Sequence, residues 1–554
     1  MERSSGGYSP LPNNSPIEEG ESKTTSRRKN RYRFFLPQFK TSDDSISVNS
    51  LLFISTREEN SIDRLRISIG DMEFTPDILF SLPRKTGRKH IAFVSLTVSI
   101  NQLRSMAIHN KIRAYFLDES GVRTSLRPIT YDVILRTYLA KHSPMLYDEQ
   151  DDTVAFFRQN RGRSITLTVR HRNTTDSKKH IRKLRIAWLL SHLPFLGRPT
   201  IFFEKNSSRY EESSRAVYEY ILDNNAESSQ IAFIVPSALL NDPEIDQRYK
   251  SNMIAAHSFK HYLAFFRSRS FIGTEAMSHA LELRCQSLLV QNKLLEKANR
   301  YVFLQHGVMY MVSLDSPQRT SFRRESMPPQ SHVVVSSEKE GKHFIDLAGF
   351  SQDDLIVSGL PKFDKSKQSQ NADKIVIMPT WRIWEFNQVR SDPKSSGYYK
   401  MIKRILDAIP EHLKNKVIVC PHPLFSRVTF GNHFESEEPQ KTIGEILSEA
   451  RVFITDYSSA AFDAFYRGSS VIFYWEELEE CMAHYGEPTH LMLTESDAFG
   501  QIAYSPQDLP KMVNKAYVNG QAIEEISRFR TIVAFHDNRN TERCTRKLKE
   551  LRLI

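Results

Sequence analysis

Cysteine is scarce in this chain, and the sequence has no long hydrophobic run. The 554 residues include four cysteines, scattered and without metal-ligand spacing, which is typical of free thiols in a reducing compartment. No apolar stretch approaches the length of a bilayer span, and no signal peptide opens the chain. No Asp-x-Asp pair or His/Cys cluster suggests a metal site. We therefore expect a cytoplasmic protein that binds no metal and does not span a membrane.

The composition is that of a globular protein with an excess of positive charge. Hydrophobic residues make up 40% and charged residues 25% of the chain, which is ordinary for a folded protein. A chain of this length predicts two to four domains. The formal net charge of +11 favours a polyanionic partner, such as nucleic acid, an anionic polymer or an acidic membrane surface.

The first third of the sequence predicts a tail and a small all-β domain. Residues 1–43 are rich in Ser, Asn, Pro, Gly and charge, which predicts a disordered basic tail. Residues 44–172 contain short alternating runs between turns, which predict a small antiparallel β-sandwich that recognises or spaces rather than catalyses. Residues 173–185 are polar and basic and predict a linker. The clearest strand runs are 45–48, 65–69, 91–96 and 165–169.

The rest of the chain alternates buried strands with helices. This alternation predicts parallel, doubly wound sheets and thus an α/β fold. We predict two Rossmann-like halves with a cleft between them, the first at 186–368 and the second at 369–510. A basic helical segment follows at 511–554.

Residues 449–480 contain the most informative local pattern, which is strand, polar turn, helix and strand. The turn is Thr455-Asp456-Tyr457-Ser458-Ser459, and a helix is predicted to follow from Ala460. Ser458 and Ser459 would then lie at a helix N-terminus, where unpaired N–H groups and the helix dipole bind phosphate. Alternatively, the two serines only cap the helix. This stretch by itself leaves both readings open.

Polar residues also follow two other predicted strands of the second half. Thr380 and Arg382 follow one strand, and His422 follows the next. Because the C-terminal ends of parallel strands meet at one edge of a sheet, we expect these residues to converge with the serine turn. An arginine fork, a hydroxyl and an imidazole can together hold a diphosphate.

His306 ends a predicted strand of the first half and is followed by Gly307. Glycine permits a tight turn and a close approach of backbone to a ligand. A histidine at this position would face the cleft and could accept a proton near neutral pH. The alternative is a histidine that only pairs with a nearby backbone group.

Six motifs in this order resemble the CDP-glycerol glycerophosphotransferases, the teichoic-acid-type polymerases and primases of bacterial cell envelopes. The resemblance covers about 200 to 480, and T-D-Y-S-S and P-T-W-R are its most diagnostic pieces. The matching motifs are F-F-E-K-N-S-S-R-Y-E-E-S-S-R-A-V-Y-E-Y-I (202–221), L-Q-H-G-V (304–308), V-S-G-L-P-K-F-D (357–364), I-M-P-T-W-R (377–382), C-P-H-P (420–423) and I-T-D-Y-S-S-A-A-F-D (454–463).

The resemblance implies a GT-B fold that binds a CDP-activated donor between two Rossmann-like domains, an acceptor-side domain at 186–368 and a donor-binding domain at 369–510. It implies transfer of glycerol phosphate, or a related alditol phosphate, to a hydroxyl of a lipid-linked or polymeric acceptor, with release of CMP and no cofactor. His306 and His422 would be catalytic, and Gly307 and Asp456 would support them. The residues implied to bind the donor are Thr380, Arg382, His422, Thr455, Ser458, Ser459 and Glu477.

Two positions depart from the family pattern. Val308-Met309-Tyr310-Met311 follows His-Gly, where the family usually has Thr-Pro-Leu-Lys, so the acceptor stays open. Glu477 stands where the family often has Asp.

Two other functions compete with this reading. One is a GT-B glycosyltransferase that uses a nucleotide-sugar, and the other is a non-catalytic polyanion-binding protein. The chain lacks a recognisable nucleic-acid motif, so we expect no nucleic-acid partner. Because the family's acceptors are lipid-linked, we expect peripheral, salt-sensitive binding to the anionic inner face of the cell membrane through basic residues of the tail and of the C-terminal segment.

Overall fold

The computed structural model divides into two compact units, and each is built around its own sheets. The β unit takes in the described residues up to Arg182 together with Cys285–Gln291, and the α/β unit takes in the described residues from Lys183 onward outside that segment. Within the part of the chain that the structure describes, no helix has both the length and the apolar character needed to cross a membrane. The structure describes residues 30–56, 61–83, 89–106, 109–128, 144–159, 165–224, 230–283, 285–385, 388, 392–421 and 441–554.

Among the described residues of the β unit, eleven strands form one hydrogen-bonded sheet. The strands are β1 (Arg31–Thr41), β2 (Ser45–Ser55), β3 (Leu65–Ile69), β4 (Met72–Phe74), β5 (Asp77–Pro83), β6 (Lys89–Ser99), β7 (His109–Leu117), β8 (Arg123–Pro128), β9 (Leu146–Asp148), β10 (Thr153–Gln159) and β11 (Ile165–His171), with a short helix α1 (Ile100–Arg104) after β6. The main path runs β5-β6-β2-β1-β8-β7-β11-β10-β9, and β3 joins β7 and β4. β1 and β8 are parallel, whereas their other neighbours in the sheet pair antiparallel.

The sheet curves so that distant strands share one apolar core. Alternate residues of β2 and β6 point inward and are buried, as period-2 patterning requires. The Phe39 ring of β1 lies 4.7 Å from the Phe157 ring of β10, and the Tyr32 hydroxyl donates to the Ile112 carbonyl at 2.9 Å. The four predicted strand runs are confirmed within β2, β3, β6 and β11. In place of the two separate sheets of a sandwich, the structure has one continuous curved sheet.

Two predictions for this part of the chain are wrong. The disordered tail predicted over 1–43 is too long, because Arg31–Thr41 forms β1. Its inward Tyr32 and Phe34 are buried, but basic residues between them hide the alternation. The linker predicted over 173–185 is partly helical, since α2 spans Lys178–Leu190, and charged residues on its exposed side resemble those of a linker.

The first half of the α/β unit is a sheet of seven parallel strands. Its strands are β12 (Thr200–Phe203), β13 (Ile231–Val235), β14 (Met253–Ala255), β15 (Ser270–Gly273), β16 (Arg300–Phe303), β17 (Gln330–Val335) and β18 (Leu355–Val357). They lie in the order β14-β13-β12-β15-β16-β17-β18. The helices along this stretch are α3 (Glu212–Asn224), α4 (Gln247–Lys250), α5 (Phe259–Arg267), α6 (Leu288–Leu294) and α7 (Glu338–Ala348).

The second half is a sheet of five parallel strands. Its strands are β19 (Lys374–Ile377), β20 (Val417–Val419), β21 (Ala450–Thr455), β22 (Ser470–Tyr474) and β23 (Gln501–Ala503), in the order β20-β19-β21-β22-β23. The helices here are α8 (Gly397–Asp407), α9 (Ile443–Glu449), α10 (Ala460–Arg467), α11 (Leu478–Tyr485), α12 (Leu509–Asn519), α13 (Ile523–Ile532) and α14 (Asn540–Glu550). The predicted α/β class with parallel sheets is confirmed.

Each parallel sheet has one place where the direction of strand order reverses. In the first half it lies between β12 and β15, and in the second half between β19 and β21. In open α/β sheets, ligands bind at such switch points, beyond the C-terminal ends of the strands. Glu204 and Thr274 follow β12 and β15, and the P-T-W-R and T-D-Y-S-S motifs follow β19 and end β21.

Backbone and side-chain contacts join the two halves of the α/β unit. Val312 of the first half forms an antiparallel bridge with Leu491 of the second, and the Met492 N–H donates to the Met311 carbonyl at 2.9 Å. The final helix α14 returns to the first half, where the Asn540 N–H donates to Asp364 at 3.0 Å.

Candidate functional site

His306 lies in a tight turn after β16 that directs its ring outward. Gln305 has a left-handed backbone with φ of 59°, and its buried side chain donates to the Val334 carbonyl at 2.5 Å. Because Gln305 is held inward, the next residue, His306, is exposed. The predicted position of His306 at a strand end is therefore confirmed.

The first switch point orients the His306 ring. His306 Nδ1 lies 3.4 Å from the Thr274 carbonyl oxygen, a contact that fits a protonated Nδ1 and leaves the Nε2 lone pair available to accept a proton. The Thr274 hydroxyl donates to Glu204. Burial raises the pKa of Glu204 well above its usual value. These three residues connect the ends of β12, β15 and β16 in one chain of contacts.

The turn at Gly307 lies against the start of α10 in the other half. A β-carbon at Gly307 would lie 3.3 Å from Ser459 Oγ and 3.7 Å from Asp463 Oδ2. The absence of a side chain thus lets the His306 turn approach the helix N-terminus closely. The structure brings together His306, Gly307 and Ser459, three of the residues singled out in the sequence.

Lys362 contacts both sides of the junction between the His306 turn and α10. Its ammonium donates to the His306 carbonyl at 2.7 Å and pairs with Asp463 at 2.6 Å and Glu212 at 3.1 Å. Burial favours the neutral amine, but Asp463 and Glu212 outweigh it and raise the pKa of Lys362. Three acceptors match the three N–H groups of an ammonium ion. Lys362 thereby ties α3, the His306 turn and α10 into one assembly.

The T-D-Y-S-S turn is held by hydrogen bonds of its own. Asp456 Oδ1 accepts from the Thr380 N–H at 2.8 Å and from the Tyr457 N–H at 2.6 Å. Burial raises the pKa of Asp456 to about 6. The Thr455 hydroxyl donates to the Met378 carbonyl at 2.6 Å, and Ser458 Oγ accepts from the Ala460 N–H at 3.3 Å. Asp456, Thr455 and Ser458 thus fix the turn that presents Ser459.

Arg382 and Glu477 are bound to each other. The Arg382 side chain is 4% exposed; its Nη2 pairs with Glu477, and its Nη1 lies 3.4 Å from Glu385. Glu477 also pairs with Arg404 of α8. In this arrangement Arg382 links the loop after β19 to the loop after β22, and its guanidinium is paired with carboxylates of this chain.

His422 lies outside the described residues, which stop at Pro421 and resume at Lys441. The strand before it, β20, pairs with β19, and the Cys420 N–H donates to the Ile377 carbonyl at 2.8 Å.

Sequence reasoning missed Lys362, Asp463, Glu212, Glu204 and Thr274. Lys362 is part of the V-S-G-L-P-K-F-D motif, but a lysine beside a proline usually reads as a surface residue. Its burial depends on acceptors from three separate elements, which local sequence does not reveal. The Val308-Met309-Tyr310-Met311 segment is buried, and the Met309 N–H donates to Glu340 at 2.8 Å.

Comparison with known proteins gives one family and several relatives. A family model described as CDP-Glycerol:Poly(glycerophosphate) glycerophosphotransferase matches residues 186–550. The minor teichoic acid biosynthesis protein GgaB of Bacillus subtilis (strain 168) is 22% identical over 410 residues, covering 69% of this chain and 43% of GgaB. The chain thus spans less than half the length of this relative.

Among solved structures, the wall teichoic acid polymerase TagF is similar to this chain. The match has a TM-score of 0.48 and 14% sequence identity, and it covers 67% of this chain and 95% of the TagF chain. A TagF variant gives a TM-score of 0.49 with 14% identity, over 67% of this chain and 96% of that one.

Proposed function

The chain belongs to the CDP-glycerol:poly(glycerophosphate) glycerophosphotransferase family, and is therefore a transferase; we propose that it moves glycerol phosphate from CDP-glycerol to a hydroxyl group. The acceptor in this proposal is a teichoic-acid-type polymer or its lipid-linked precursor. The observation that carries the proposal is the approach of the His306 turn to the N-terminus of α10 at Gly307 and Ser459.

The proposed reaction is a displacement at phosphorus. The acceptor oxygen attacks the phosphorus that carries glycerol, and His306 Nε2 takes the acceptor proton. The bond from that phosphorus to the bridging oxygen breaks, and CMP leaves with the electron pair. Attack at a diphosphate depends on positioning and charge stabilisation, and both call for a rigid junction such as the one around Lys362.

We propose that the donor diphosphate lies between the His306 turn and the start of α10. Ser459 and the helix N-terminus would donate hydrogen bonds to it, with Thr380 beside them and His422 as the second histidine. Thr455, Ser458 and Asp456 would keep the turn in place, and Arg382 with Glu477 would fix the loops around it. In this proposal the two halves form a GT-B pair, and the nucleotide occupies the switch point between β19 and β21.

The proposed location follows from the acceptor. A lipid-linked acceptor would place the enzyme at the inner face of the cell membrane, as a peripheral protein. Its positive charge suits both that surface and a polyanionic product.

A donor panel tests the reaction. We would incubate the full chain with CDP-glycerol, CDP-ribitol and several nucleotide-sugars, together with a purified teichoic-acid primer, and identify the released nucleotide. The proposal predicts CMP from a CDP-alditol only. Release of a nucleoside diphosphate from a nucleotide-sugar would establish a glycosyltransferase instead, and binding of the primer without any nucleotide release would indicate a polyanion-binding protein.

A further inference from the structure

One outward face of the β unit carries a continuous apolar area. Register places Phe35, Leu51, Phe93 and Phe80 in one cross-strand row of β1, β2, β6 and β5. The next row contains Phe53, Ile91 and Leu82, with Arg33 at its end. The side chains with the largest exposed fractions are Phe35 at 44%, Phe53 at 37%, Phe80 at 52% and Leu82 at 51%.

The same face becomes polar farther along the same strands. Asn49 pairs with Ser95, and Ser47 pairs with Thr97. All four point outward; Thr97 is exposed and the other three are half-buried. A solvated sheet face normally alternates apolar inward and polar outward, and that rule holds in this half of the face. In the other half the outward positions are aromatic or aliphatic. An exposed apolar patch of this kind marks an interaction surface.

Cations border the apolar area at its far end. Arg31 pairs with Ser55, which in turn pairs with Lys89, and Arg33 ends the neighbouring row. None of the residues in these three rows carries a carboxylate. These three rows therefore combine apolar side chains with positive charge, and Asp77, which pairs with Ser95, places a carboxylate in the polar part of the face.

We propose that this face docks the protein on an anionic lipid bilayer. Aromatic and aliphatic side chains enter the boundary between headgroups and acyl chains, while adjacent Arg and Lys residues bind lipid phosphates. A second copy of the chain fits less well, because a twofold contact of the face with itself would bring like charges together. The proposal rests on the lipid-linked acceptor of the proposed function. It replaces the purely electrostatic membrane contact expected from the sequence with one that is both apolar and electrostatic.

Vesicle flotation of the full chain tests the proposal without donor or acceptor. The vesicles would be phosphatidylcholine alone or with about one third phosphatidylglycerol, at about 0.1 M and about 1 M NaCl, because the Debye length falls from about 10 Å to about 3 Å between these salts. We expect binding to the anionic vesicles that persists in part at high salt. Phe53→Ser with Leu82→Ser should lower partition at high salt by roughly tenfold or more.

The matched control removes exposed apolar side chains elsewhere. Val518 and Ile523 are 74% and 81% exposed, so Val518→Ser with Ile523→Ser should leave partition unchanged. If the Phe53/Leu82 variant unfolds, Leu82→Trp with brominated lipid gives a second readout, and quenching of its added fluorescence is expected.

Three results would overturn the proposal: no flotation of the wild-type chain at low salt, equal partition of both double variants, or a Phe53/Leu82 variant that loses a dimer but not vesicle binding. Turnover on a water-soluble acceptor separates this inference from the proposed function. A wild-type chain that does not float but still turns over a water-soluble acceptor would remove the docking face and leave the proposed function standing.

Discussion

Lys362 is the residue on which the geometry of the candidate site depends most. It binds the His306 carbonyl and two carboxylates at once, and its side chain is 8% exposed. Removal of one partner from a buried ion pair leaves the other charge without compensation, which costs about 3–5 kcal/mol. The His306 turn and the N-terminus of α10 would then lose their common support.

We predict that Lys362→Met lowers the free energy of unfolding by about 3 kcal/mol and turnover by roughly 10²-fold, because a shift of about 1 Å at the reacting groups has that effect. Lys362→Arg should restore part of both. Urea unfolding and steady-state kinetics measure the two quantities. Lys342→Met is the control, since Lys342 is 74% exposed, pairs with the exposed Asp346 and should cost less than about 1 kcal/mol. Equal effects of the two methionine variants would contradict the assigned role.

Asp456 should make stability depend on pH. Burial raises the pKa of Asp456 to about 6, above its value of about 3.9 in an unfolded chain. Between these values the folded state binds more protons than the unfolded state, so this group's contribution to stability falls as pH rises from about 4 to about 6.

Asp456→Asn keeps an oxygen for the N–H groups of Thr380 and Tyr457 and removes the titration. We expect the stability of this variant relative to the wild type to rise by about 2 kcal/mol between about pH 4.5 and about pH 7.5. Urea unfolding of both proteins at the two pH values measures it. A difference that stays constant with pH would show that Asp456 does not titrate in this range.

At the scale of elements, two residues that were both predicted to bind the donor because they follow strands have different surroundings. Arg382 is buried among carboxylates that connect two loops, whereas Ser459 starts α10 and faces the His306 turn. Arg382 is therefore expected to contribute mainly to stability, and Ser459 is expected to contribute mainly to ligand binding.

We predict that Arg382→Ala lowers the free energy of unfolding by about 3–5 kcal/mol. Ser459→Ala should leave stability within about 0.5 kcal/mol but weaken the binding of CDP-glycerol. Urea unfolding and titration calorimetry separate the two effects. Ser458→Ala serves as the comparison, with an expected cost of about 1 kcal/mol for the lost hydrogen bond from the Ala460 N–H. Unchanged donor affinity in Ser459→Ala would remove the helix N-terminus from the donor site.

Elements with clean periodicity were predictable from the sequence. β3 and β11 alternate apolar with polar residues, and turn residues lie beside them, so their positions follow from local pattern. β1 and α2 were not predictable, because Arg and Lys on their exposed sides give them the composition of a tail and a linker. Their apolar residues are recognised only when the partner strand or core is known.

The residues of the candidate site likewise divide into those that could be predicted from the sequence and those that could not. Residues at the C-terminal ends of parallel strands, such as His306, Thr455 and Ser459, could be predicted because topology alone gathers those ends at one edge. The Lys362 contacts could not, since its acceptors come from positions 212, 306 and 463. The pairing of Arg382 with Glu477 likewise depends on two loops that are distant in sequence.

At the scale of the whole molecule, the α/β unit places two switch points at one junction. The first half contributes Glu204, Thr274 and His306, and the second contributes the turn before α10. The Val312–Leu491 bridge and Lys362 connect the two halves. In the proposed function, the first half supplies the base and the second half supplies the helix N-terminus that binds phosphate, which are the two parts that transfer to an acceptor hydroxyl requires.

The central claim is that His306 is the base of a glycerol-phosphate transfer, and single-turnover release of CMP from CDP-glycerol tests it most directly. With a primer as acceptor, His306→Ala should slow CMP release by about 10²–10⁴-fold while calorimetry finds nearly unchanged donor affinity. The control His412→Ala changes an exposed histidine of the same unit and should release CMP at the wild-type rate. A His306→Ala enzyme that releases CMP as fast as the wild type would contradict the account.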